Sequence, residues 1–139
     1  MNAAALKHMT DFAEIPPLQA HARVQKGIAL SEAIRFAKSL DLTQEETARL
    51  LGLPTRTYQR WLAEPNKKLD PATGGRFYRT LKIIQKAMTL LGTWPAALQW
   101  LRGEQRALGF QTPFDLLSTA PGAEAVEDLL GRIEYGVIT

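Results

Sequence analysis

Residues 43–62 read TQEETARLLGLPTRTYQRWL, and the fold turns on this stretch. Thr43 followed by Glu46 is a capping box: the hydroxyl accepts the amide of the third helical residue, and that Glu reaches back to the cap amide. The spacing predicts a short helix over residues 43–51. Ala48 stands where a second helix must cross closely, and Gly52 where the turn needs a positive φ. Pro54 stops the first helix, and Thr55 reads as the cap of a second over residues 55–63. Leu51, Leu53, Tyr58 and Trp61 are spaced to lie between the two helices. With both aromatics inward, Thr55, Arg56, Gln59 and Arg60 share the outward face. This is the pattern of a helix-turn-helix.

That outward face carries the chemistry of base reading. Arg makes bidentate bonds to guanine and Gln to adenine in the major groove. A docked recognition helix meets base edges with its N-terminal residues, where Arg56 and Gln59 lie. Gln44, at the start of the first helix, is placed to bond a phosphate alongside the helix-end amides. Lys67 and Lys68, just past the second helix, are candidate backbone contacts. A helical hairpin with a merely solvated Arg/Gln face is the alternative. The joint presence of caps, Ala, Gly and two aromatics in register favours DNA.

Working outward, helical periodicity recurs. Upstream, Leu30, Ala33, Ile34 and Ala37 form one apolar stripe of a helix over residues 31–40. Downstream, residues 64–75 (EPNKKLDPATGG) are rich in breakers and read as a loop. A long helix is expected over residues 76–91, with Phe77, Leu81, Ile84, Met88 and Leu91 on its stripe and Gly92 as its stop. Pro95 at the first helical position opens a helix reaching Arg102. Residues 103–111 read as a loop, and Thr112-Pro113 starts a short helix through Leu117. A last helix spans residues 123–135, with Val126, Leu129, Leu130 and Ile133 on one face. No stretch alternates like a strand, so the expected class is all-α. A soft boundary falls at Gly92-Thr93. It divides the chain into an arm or helix (1–25), a helix-turn-helix domain with its long connecting helix (26–92), and a C-terminal domain (93–139).

The 139 residues suffice for one good core or two small ones sharing an interface. No run of about 18 apolar residues exists, as a membrane span would need. Lys7 and the short apolar run before it do not make a secretory leader, and with no cysteine neither disulfides nor thiolate zinc sites are available. A cytoplasmic address is the expectation. The net charge of +3 is unevenly spread. Residues 21–92 hold 13 Lys and Arg against 6 Asp and Glu, whereas residues 93–139 hold 3 against 6, so two surfaces with different partners are expected. An enzyme finds little material here. His8 and His21 are the only histidines, Gly74-Gly75 lacks the lysine of a phosphate loop, and Glu127-Asp128 read as a solvated pair. Neither a catalytic set, nor a metal site, nor a cofactor is expected.

The last third is aromatic and ends unusually. Trp94, Trp100, Phe110, Phe114 and Tyr135 fit a small helical core, into which Trp100, Leu101, Leu116 and Leu129 should pack. The closing string Arg132-Ile133-Glu134-Tyr135-Gly136-Val137-Ile138-Thr139 puts apolar residues at a terminus, where polarity is usual, which makes sense if a partner covers them. Several strings here also match a known pattern. They are Arg76 and Arg79 in GRFYRTL, Ala97-Leu98-Gln99-Trp100-Leu101, Ala107-Leu108-Gly109, Thr112-Pro113 with Leu116-Leu117, Gly122, Val126-Glu127 through Leu129-Leu130, and Arg132 to Gly136. On these residues, positions 74–136 resemble the toxin-binding region of Xre–MbcA–ParS antitoxins. With the Xre-like helix-turn-helix, the resemblance covers about four-fifths of the chain. Two departures stand out: Arg102-Gly103-Glu104 where the family often has a Pro-Asn pair, and Phe110 where it often has a second glycine.

The resemblance implies an Xre-like helix-turn-helix bundle followed by a small helical toxin-binding domain. It implies an antitoxin of a type II system that covers the active-site cleft of a RES-domain, NAD-degrading toxin and represses its own operon. Some members of the family do not bind DNA; the intact recognition face here favours binding. Trp100, Phe110 and Arg132 through Thr139 are then the candidate toxin contacts. Operator DNA, a cognate toxin and a second copy of the chain are the expected partners, with no membrane. The alternative is a stand-alone repressor whose C-terminal half binds a small molecule.

Overall fold

The computed structural model describes residues 11–64 and 66–136. In chain order the helices are α1 (Pro17–Lys26), α2 (Leu30–Ser39), α3 (Gln44–Leu51), α4 (Thr55–Trp61), α5 (Pro71–Leu91), α6 (Trp94–Arg102), α7 (Pro113–Leu116) and α8 (Ala120–Glu134). A 3-10 turn at Arg106–Leu108 joins α6 to α7. The long helix α5 is the axis on which α1, α3, α6 and α8 all pack. Its stripe explains why: Phe77, Leu81 and Ile84 are buried, as are Thr80, Ile83 and Ala87 beside them.

Short-range signals set most helix starts. Thr43, Asp70, Thr93, Thr112 and Thr119 each accept, through a side-chain oxygen, the amide three residues on. Such a cap contributes about 1 kcal/mol. The full capping box of Thr43 with Glu46 is present. Asp70 changes one expectation: α5 begins at Pro71, not at residue 76, because Asp70 caps and Pro71 supplies a preset φ at the first position. The two glycines taken as breakers lie inside the helix. A Cβ at Gly74 would already touch Val24 and Ile28, so the small residue lets α1 and β1 lie close. Other starts also move. Pro54, not Thr55, occupies the cap position of α4, since its own φ and extended ψ lead into the helix and leave Thr55 as the first helical residue with no side-chain cap bond. Trp94 precedes Pro95 in α6, and α8 starts at Ala120 under its Thr119 cap.

A small strand pair, unforeseen because each strand is two residues long, sits at the N-terminal side. β1 (Ile28–Ala29) and β2 (Lys68–Leu69) run antiparallel, Ile28 opposite Leu69 and Ala29 opposite Lys68. The Leu30 amide donates to the Lys67 carbonyl at 2.9 Å and continues the ladder, fastening the loop after α4 to the start of α2.

The segment before α1 belongs to the fold. Residues 11–14 are helical, and Phe12 is buried with its ring 5.6 Å from Phe77 and 5.5 Å from Tyr78. The Arg23 guanidinium caps the other side of that ring at 4.7 Å, and the Tyr78 hydroxyl donates to the Ile15 carbonyl. One hydrophobic cluster holds Leu50 and Tyr58 together with Leu101, Phe114 and Leu130, so side chains from both sides of Gly92-Thr93 share a core. No helix of the described residues is long and apolar enough to cross a membrane.

Candidate nucleic-acid and protein interfaces

Helix α4 is held by one deeply buried side chain. Tyr58 is 3% exposed, and burial pushes its phenol pKa up. Trp61 is only half-buried, with the Lys67 ammonium 4.3 Å over its ring, so it lines the edge of the core and does not fill it. Gly52, at φ +68, makes the turn, and the Arg76 side chain lies where any Cβ on it would be. From this base α4 turns Arg56, Gln59 and Arg60 to solvent, with Thr55 half-buried. Neither arginine makes an ion pair with any described residue. Gln59 Nε2 donates to Gln44 Oε1 at 3.0 Å, joining the two helices of the motif at their exposed edge. Lys68 is exposed just beyond, while Lys67 is partly engaged by Trp61.

The charge imbalance has a second outlet that the sequence pattern did not reveal. Among the described residues, four basic side chains pair across the Gly92 divide. Arg49 meets Asp115 of α7, and Arg79 meets Glu127 of α8 at 2.8 Å. Lys86 meets Glu134 at 3.5 Å, and Arg102 of α6 meets Glu46 of α3 at 2.7 Å. Arg76 donates to the Ser118 carbonyl. Glu127, read as a solvated carboxylate, is thus an internal partner. The basic middle and acidic end are in part complementary to one another and not only to outside partners. Desolvation opposes ionisation of Glu46, but the Arg102 guanidinium and the Thr43 backbone amide and hydroxyl outweigh it and hold the carboxyl below its ordinary value.

At the C-terminal end two aromatic side chains, Phe110 and Tyr135, are exposed among polar ones. Leu101 and Leu129 are buried, whereas Trp100 and Leu116 are only half-buried. Phe110 is 63% exposed at the tip of a tight loop whose backbone gives it φ +63. That loop is closed by Gln105 N to Gln111 O at 3.0 Å and Phe110 N to Gln105 O at 2.9 Å, and Gln105 Nε2 reaches the Trp100 carbonyl at 3.0 Å. On α8, Ile133 packs against the core while Arg132 and Glu134 face outward. Tyr135 is 80% exposed and Gly136 follows it. Val137, Ile138 and Thr139 lie outside the described residues. A groove of about 410 Å³ between α5 and α8 is lined by Tyr78, Lys82, Ile83 and Leu130 and rimmed by the Arg79–Glu127 pair.

Two stretches of the chain match known families. Residues 19–81 match the antitoxin Xre-like helix-turn-helix domain, and residues 86–136 match the antitoxin Xre/MbcA/ParS C-terminal toxin-binding domain. The chain is 28% identical over 125 residues to an "Antitoxin Xre" of Yersinia enterocolitica, covering 82% of this chain and 84% of that protein. It is 33% identical over 92 residues to an "Antitoxin Xre" of Photorhabdus laumondii, covering 66% and 62%. It is 27% identical over 124 residues to a protein of a Sphingobium species named "Prs ADP-ribosylating antitoxin", covering 81% and 76%.

Proposed function

Because the chain belongs to the Xre/MbcA/ParS antitoxin family, we propose that it neutralises a RES-domain, NAD-degrading toxin and represses its own operon. In this reading Arg56, Gln59 and Arg60 read base edges, while Gln44, Thr55, Lys67 and Lys68 hold phosphates. A homodimer places two such helices in successive major grooves about 34 Å apart. Trp100, Phe110 and the residues from Arg132 onward enter the toxin, the end of α8 closing its active-site cleft. The boundary at Gly92-Thr93 is then one of role, laid over a shared core.

The observation that carries the reading is an exposed face on α4, with Arg56 and Arg60 outside any ion pair among the described residues, in the same small fold as an α8 end that is 80% exposed at Tyr135. The Sphingobium relative supports the toxin class, since its name refers to ADP-ribosylation, chemistry that draws on NAD. The ligand-relieved repressor would use the groove between α5 and α8, but its Arg79 and Lys86 already face Glu127 and Glu134.

The test separates the two surfaces. Arg56→Ala and Arg60→Ala are each expected to weaken operator binding by about 1–3 kcal/mol and to leave neutralisation of the co-expressed toxin intact. Removing residues 135–139 is expected to do the reverse. A truncated protein that still protects cells, or one arginine change that abolishes both activities without unfolding the chain, refutes the assignment.

A further inference from the structure

We infer that Arg102, which lies in the toxin-binding region, is a positioning residue for the DNA-reading face, acting through Glu46 on the first turn of α3. The inference rests on the operator-binding reading of α4 given above.

The links are short and continuous. Arg102 Nε donates to Glu46 Oε2 at 2.7 Å and its Nη2 to Glu46 Oε1 at 2.8 Å, a bidentate grip. The same Nη2 reaches the Asp41 carbonyl at 3.0 Å, where Asp41 holds a left-handed φ of +60 in the turn that enters α3. Glu46 Oε1 also accepts the Thr43 amide at 2.9 Å, closing the capping box. The residue after the cap is Gln44, whose side chain receives Gln59 of α4. One guanidinium from α6 therefore fixes the turn, the cap and the brace of the recognition helix.

Two further ties fall along the same helix. Arg49 joins the middle of α3 to Asp115, and Arg76, bonded to the Ser118 carbonyl, lies against Gly52 at its end. The first turn, middle and end of α3 are thus all tied, directly or through Arg76, to residues beyond position 100. As a stabiliser of the whole fold the Arg102 pair is weak, since the Arg102 side chain is 39% exposed and screened by water. Its effect is local, on the orientation of the surface that α3 and α4 present.

The experiment uses the full chain carrying Arg102→Ala, Glu46→Gln, or both. Glutamine can keep the capping box through its amide oxygen, while it removes the charge and puts an NH2 donor in place of the oxygen that accepts Arg102 Nε. Each variant is titrated at fixed salt against a labelled duplex carrying the DNA just upstream of the chain's own reading frame. Each single change is expected to weaken duplex binding about fivefold, with the double variant no worse than Arg102→Ala alone. Toxin neutralisation should be unchanged. Amide exchange measured without DNA should quicken in α4 and not in α8. Duplex affinity within about twofold of the native chain, together with unaltered exchange in α4, overturns the inference. So does an equal loss of duplex binding and neutralisation, the mark of general destabilisation. If the native chain itself ignores the duplex, the operator reading fails, and exchange in α4 alone then decides whether Arg102 positions it.

Discussion

The two exposed ends of the molecule are built on opposite terms. On α4 the exposed groups are polar, and the helix is seated by Tyr58, 3% exposed, with Trp61 at its edge. At the other end two aromatics stand exposed among polar residues, Phe110 on a loop in a left-handed conformation and Tyr135 at a helix terminus. Solvent satisfies the two arginines, and if this face docks on DNA the gain comes from phosphates and base edges. Water gains little from the rings of a phenylalanine and a tyrosine, so covering them with a protein surface would be favourable. The contrast fits the proposal that the first end meets a nucleic acid and the second a protein.

The largest way to break this contrast is through what the ends share. Phe77 is buried at the meeting of Phe12 and Phe36, with ring centroids 5.6 and 6.1 Å away. Phe77→Ala is expected to cost about 3–5 kcal/mol in denaturant unfolding. Because one cluster spans the chain, Trp61 and Trp94 should report a single transition, and DNA and toxin binding should fail together. Two separated transitions would mean that the ends ride on independent cores. A smaller change sharpens the contrast at one end only. Phe110→Gly relieves the positive φ and exposes little new surface, so stability should stay within about 0.5 kcal/mol of the native chain. If Phe110 is a contact, toxin affinity should still fall by about 2 kcal/mol in a titration of the purified pair, the loss typical of an aromatic anchor. Unchanged affinity would leave Trp100 and Tyr135 as the aromatic anchors proposed for the protein interface.

What was legible in the sequence follows the range of each interaction. The capping box of Thr43 and Glu46, the Thr112 cap and the stripe through Phe77, Leu81 and Ile84 act within one or two turns, so spacing alone reveals them. The start of α5 was misplaced because Thr73-Gly74-Gly75 reads as a breaker, although Asp70-Pro71 carries the stronger start signal. Thr55 was taken as a cap because its side chain suits one, but the proline before it already has the required backbone. At the polar end, the outward set of Arg56, Gln59 and Arg60 followed from helical geometry once Tyr58 was placed inward. The ties of Arg102 to Glu46 and Arg49 to Asp115 span 56 and 66 residues. Surface charges carry no periodicity that could announce a partner so far away. Phe12, in the stretch read as an arm or helix, packs on Phe77 and Tyr78 far along the chain, which no local pattern announces.

The smallest expected effect probes the joint between the two ends. Glu46 is ionised more readily in the folded chain than in the unfolded one, where its ordinary pKa is 4.5. A folded-state pKa below the unfolded value means that the carboxylate stabilises the native state above pH 4.5, and that this contribution is lost as the pH falls through the lower, folded value. Glutamine at position 46 cannot titrate. The stability gap between the native chain and Glu46→Gln should therefore be widest near neutral pH, about 0.5–1 kcal/mol for a partly screened pair, and should close in acid. Urea unfolding of both proteins at a series of pH values measures the gap directly. A gap that stays constant or grows as the solution is acidified would show that the Arg102 guanidinium does not grip an ionised Glu46. The polar joint between the two ends would then rest on the contacts of Arg49, Arg76, Arg79 and Lys86.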